Sequence, residues 1–128
     1  MMNTLVKDLV IVSVVLLLLD FVFLTANKKM FESQVIQVQR TALQMKPLGA
    51  VACYIFLIFG LYYFIIRQHC SILEAFLLGI VIYGVYETTS YALLKNWRIN
   101  TVMVDTVWGG VLFALTTAIT YKLSKMIA

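Results

Sequence analysis

An all-α membrane protein, an antiparallel bundle of four transmembrane helices with one interfacial amphipathic helix, is the fold class this sequence predicts. Three observations predict it. Of 128 residues, 62% are hydrophobic and only 12% charged, and the mean hydropathy of +0.95 is far above that of water-soluble domains. The apolar residues gather in four runs, each close to the ~20 residues that cross a hydrocarbon core. The cations flank those runs, where long basic side chains reach lipid headgroups. The net charge of +4 therefore reads as membrane anchoring, and nucleic acid is not an expected partner. One domain over 1–128 is expected.

The first span is expected over about 5–25; it is too long for a signal-peptide core and no A-x-A pattern follows it. The connection after it, about 29–45, mixes Met30, Phe31, Val35, Ile36, Val38, Leu43 and Met45 with Glu32, Ser33, Gln34, Gln37, Gln39, Arg40 and Gln44. That mixture is too polar to span and suits an amphipathic helix on the interface, either capping the bundle or acting as a lid or a partner-binding surface. The second span, about 47–66, opens with the single proline at a first-turn position, where its missing N–H costs least. The third, about 71–94, and the fourth, about 101–121, follow after short turns that bring neighbouring helices together antiparallel. Cys53 and Cys70 would stand about 25 Å apart along one helix and cannot bridge within it. No cofactor motif accompanies them.

Side A carries both ends of the bundle and side B the opposite ends. Side A has Lys7, Arg67, Lys122 and Lys125; side B has Lys28, Lys29, Arg40, Lys46, Lys95 and Arg98. This asymmetry leans side B toward the cytoplasm and both termini outside.

Three carboxylates fall inside spans. Counting helical rise from the span ends puts Asp20 about 8 Å, Glu87 about 10 Å and Asp105 about 6 Å from side B, a single layer. Their inward faces are read from small and polar residues at helical spacing: Ser13, Leu17 and Asp20; Gly79, Tyr83, Glu87, Ser90 and Leu94; Asp105, Gly109, Leu112, Thr116 and Thr120. Tyr54, Tyr86, Tyr91 and Trp108 are the expected lining. A carboxylate in hydrocarbon costs about 2.5–3.5 kcal/mol even on the lenient insertion scale, so three together call for protonation of at least one or a bound cation, or else the acids, tyrosine hydroxyls and threonines form a hydrogen-bonded knot that joins the helices. Asp8, Glu32 and Glu74, near ends or in the connection, call for no such account.

The stretch V-Y-E-T-T-S-Y-A-L-L-K-N-W from Val85 to Trp97, followed by V-D-T-V-W-G from Val104 to Gly109, resembles a family of small four-span bacterial and viral membrane proteins. That family is catalogued as a domain of unknown function (predicted membrane protein family 2177). The resemblance extends to Asp20 near the end of the first span and to Tyr54 and Gly60 in the second. It implies that the family's acids fall on Asp20, Glu87 and Asp105, its aromatics on Tyr86, Trp97 and Trp108, and its small residue on Gly109. Glu87 stands where the family usually has Asp, Ser90 where it has Asn, and Phe23 where it has Trp. No activity is implied, beyond an association of bacterial members with lipid-modifying functions.

Three functional classes follow. A channel or carrier for cations or protons would use Asp20, Glu87 and Asp105. The side-A half offers few polar groups, namely Ser13, Tyr63, Thr116, Thr117 and Thr120, so a pore would need a homo-oligomer or a moving helix. A structural or accessory protein would bind membrane lipid or a partner through the amphipathic segment. An intramembrane enzyme ranks last, since no nucleophile or metal motif surrounds the acids and His69 reads as a solvated turn residue.

Overall fold

A computed structural model describes residues 4–39 and 46–127. They form α1 (Thr4–Ala26), α2 (Lys28–Gln39), α3 (Pro47–Leu61, continued by a π-helical turn, Tyr62–Ile66), α4 (Ile72–Leu93) and α5 (Ile99–Met126). Helix α1, α3 with its π turn, α4 and α5 are each long and apolar enough to cross a membrane. The amphipathic segment is helical from Lys28 to Gln39; its remainder, 40–45 with Arg40, Leu43, Gln44 and Met45, lies outside the described residues.

Local chemistry accounts for the ends. Pro47 takes the first turn of α3. Ser71 caps α4, accepting from the Glu74 N–H at 3.1 Å and donating its hydroxyl to Glu74 Oε1 at 3.1 Å, a Ser-x-x-Glu reciprocity that satisfies an orphan donor. In the π turn the Arg67 N–H reaches back five residues to the Tyr62 carbonyl at 2.8 Å, and the altered phase lets both Ile65 and Ile66 face inward. Helix α5 runs a turn past the expected 121. Nothing after Gly110 breaks the helix, and Lys125 in the last turn suits the negative end of its dipole.

Helix α5 is the axis of the bundle, packed along α4 and along α1. The α4–α5 seam is glycine-lined: a Cβ at Gly79 would lie 2.1 Å from the Gly109 carbonyl oxygen, and one at Gly109 would strike the Tyr83 ring at 2.3 Å. Only missing side chains allow that approach, as small-residue packing in membranes requires. The apolar core joins Val12, Leu16, Leu57, Leu61, Leu112 and Phe113 at mid-bundle.

Two expectations are corrected. Leu17 is 42% exposed; the inward face of α1 is instead Asp8, Val12, Leu16 and Asp20, one residue per turn at i, i+4. The span is apolar all round, so composition alone gave no reason to choose between faces. Helices α3 and α4 are joined by a short turn but do not pack closely along their length. α3 leans on α1, and the gap beside α4 opens into a cavity.

Candidate functional site

That cavity, about 490 Å³, lies in the side-B half and is lined from every helix. Helix α1 brings Asp20, α3 brings Cys53 and Tyr54, α4 brings Tyr83, Tyr86 and Glu87, and α5 brings Asp105. The three acids expected in one layer thus surround one space, and all three are buried. Their depth follows from helical rise, and their direction from the i, i+4 stripes that α5 packs against.

Each acid has identifiable neighbours. Asp20 accepts from the Tyr54 hydroxyl on one oxygen and from Trp108 Nε1 at 3.0 Å on the other. Phe23, one turn beyond Asp20, stacks on the Trp108 ring with centroids 4.5 Å apart and planes 3° from parallel, which fixes the indole edge on the carboxylate. Glu87 accepts from Trp97 Nε1 at 2.9 Å; this indole comes from the α4–α5 turn, bent back by Asn96 in a left-handed conformation with φ of 68°. Asp105 borders the same cavity as Glu87. The layer is therefore a Glu87–Asp105 pair beside an Asp20 clamped by two aromatic donors.

Among the described residues no cationic side chain lines the cavity. Lys95 and Arg98, which could have folded down from the side-B surface, are exposed, and among the described residues the ion pair formed is Lys28 with Glu32 at 3.8 Å on α2. Among the described residues, too, no three His, Cys, Asp or Glu side chains converge as a metal-ligand set.

Of the expected lining, Tyr54 and Tyr86 border the cavity, Tyr86 with 61% of its surface on the outside. Trp108 sits behind Asp20 as its donor. Tyr91 is 51% exposed and does not border the cavity; one turn beyond Glu87 it has reached the interface, where tyrosine is at home.

Gln34 is the residue that sequence reasoning passed over. It is fully buried on α2; its Nε2 donates to the Asn96 carbonyl at 2.7 Å, and its Oε1 accepts from the Arg98 N–H at 2.9 Å and the Thr101 hydroxyl at 2.8 Å. Arg98 precedes α5 and supplies no cap of its own, so Gln34 caps α5 from another helix. The clasp holds α2 across the cavity, with Phe31 and Val35 forming part of its wall.

Four apolar helices that bury carboxylates among aromatic donors and glycine seams define an integral, multi-pass helical membrane protein. The chain belongs to the family described as a predicted membrane protein (DUF2177), which matches residues 5–122 and so includes all three acids. No curated protein and no solved structure matches it.

Proposed function

We propose that this protein handles protons across the membrane, with the Glu87–Asp105 pair as the proton-carrying group and Asp20 as a fixed neighbour. One observation carries the reading: two buried carboxyls, Glu87 and Asp105, border one cavity that no cationic side chain lines among the described residues. Carboxyls so placed need a proton or a cation, because two like charges sharing a poorly hydrated site cannot both persist. Among the described residues no three-ligand set forms, which favours the proton over a chelated metal ion. Trp97 holds Glu87 from the side-B turn while Asp105 remains free of an indole partner, so a proton gained or lost redistributes within the pair. Helix α2 shields it from side B.

The test is proton flux in vesicles containing the purified protein, with a trapped pH dye and an imposed gradient. Wild-type protein dissipates the gradient, and Glu87→Gln and Asp105→Asn lose that activity while remaining folded. Flux in wild type no greater than in empty vesicles would remove the reading. The acids would then be a hydrogen-bonded knot between helices, and function would be sought in lipid or partner binding by α2, whose Lys28, Lys29 and Ile36 are exposed.

A further inference from the structure

A second cavity, about 380 Å³, opens at the side-A end, lined by Asp8, His69, Thr120, Tyr121, Ser124 and Lys125, with Ile66 at its base. Asp8 is buried and accepts from the Ser124 hydroxyl at 2.8 Å. Thr120, on the cavity wall, is completely buried, yet its hydroxyl has no hydrogen-bond partner. One turn further in, Thr116 and Thr117 are buried with unpartnered hydroxyls as well. A helical threonine can satisfy itself on the carbonyl four residues back; these three do not. Buried hydroxyls without partners are costly and point to bound water where there is room for it, and one water occupies about 30 Å³.

We propose that this cavity is a water-filled port for protons, with Asp8 as its proton-accepting group and the hydroxyls of Ser124, Thr120 and Thr116, spaced i, i+4 along one face of α5, as the track leading inward. The ion it takes rests on the proton reading above; its hydration does not. The charges around Asp8 are set for such a role. Lys7 is engaged by the Ser124 carbonyl at 3.2 Å, Lys125 and His69 stand on the rim, and Tyr121 is spent on the Cys70 carbonyl at 2.6 Å. None of the described cations lies in an ion pair with Asp8. The track stops at Leu112, Phe113 and Leu16, all fully buried. Between Thr116 and Trp108, the donor to Asp20, eight residues of α5 leave a dry gap of about 12 Å. The port supplies the side-A access that composition did not disclose, and the plug leaves the two ends insulated in this conformation.

The experiment is thiol accessibility in reconstituted protein carrying Cys53→Ala and Cys70→Ala. Thr120→Cys is expected to react with water-soluble methanethiosulfonates at least about tenfold faster than Leu112→Cys, since a thiol must meet water to ionise and react. Adding Asp8→Asn should slow a cationic reagent and speed an anionic one, each by roughly threefold, the order of effect that one unit charge lining the same cavity exerts in water. A Thr120→Cys rate equal to that of Leu112→Cys, or rates indifferent to Asp8→Asn, would overturn the port. Should Thr120→Cys not yield folded protein, Thr116→Cys gives the same comparison. Labelling at Thr120→Cys together with no proton flux in the wild-type protein would keep the hydrated port and remove the transport reading; wild-type flux without labelling would remove the port alone.

Discussion

Replacing Gln34 by methionine keeps the side-chain volume on α2 and removes all three of its hydrogen bonds, to the Asn96 carbonyl, the Arg98 N–H and the Thr101 hydroxyl. Each such bond contributes about 0.5–1.5 kcal/mol net, so the loss should be roughly 1.5–4.5 kcal/mol. Thr101 is fully buried and would be stranded, which places the cost in the upper part of that range. Gln34→Glu is the discriminating partner. It retains both accepting contacts at the start of α5 but turns its second oxygen on the Asn96 carbonyl, a contact that only a protonated carboxyl satisfies, so this variant should approach wild-type stability at low pH and fall toward Gln34→Met as pH rises. The assay is reversible unfolding in mixed micelles, followed by fluorescence. The two indoles, Trp97 and Trp108, both bond to buried acids, and Trp97 borders the cavity that α2 covers, so its emission should shift to the red as α2 lifts. A Gln34→Met protein within about 0.5 kcal/mol of wild type, or a Gln34→Glu protein whose stability relative to wild type is indifferent to pH, would refute the clasp.

Gly79→Ala should cost about 1–3 kcal/mol, because the new Cβ would meet the Gly109 carbonyl at 2.1 Å and force α4 from α5. Gly60→Ala, where a Cβ meets nothing within 4 Å, should be neutral or stabilising by up to about 1 kcal/mol; melting temperatures in detergent rank the pair. Ser71→Ala should lower stability by about 1 kcal/mol through loss of the α4 cap, read from the same melts. Tyr54→Phe and Trp108→Phe each leave Asp20 with one of its two donors and should cost about 1–3 kcal/mol. Their combination should exceed the sum, since Asp20 then loses both, and a double-mutant cycle measures the excess.

The spans and the acid layer were legible because both rest on one-dimensional quantities, run length and helical rise. Asp20, Glu87 and Asp105 needed only a depth and an inward face, and α4 and α5 announced their faces through Gly79 and Gly109. Asp8 was not legible: α1 is apolar on every face, and nearness to a helix end made Asp8 read as solvated, whereas it is buried. Its partner Ser124 lies 116 positions away. Ser71 and Glu74 carried a capping signature in plain view. Gln34 had no such signal. It is one of several glutamines in a polar stretch, and two of its three partners are backbone groups, which no residue type advertises. The α3–α4 gap was equally hidden, since a short turn fixes that two helices are neighbours in sequence without fixing how closely they pack.

The Gln34 clasp also sets an order of construction. Its partners lie 62, 64 and 67 positions downstream, so α2 leaves the ribosome well before α4 and the start of α5 exist. During that interval its buried glutamine and its Phe31–Val35 face have nothing to engage and must wait on the membrane surface. Closure of the chamber over the acids is thus a late event in biogenesis. Chains halted before α5 should carry an α2 that proteases can reach.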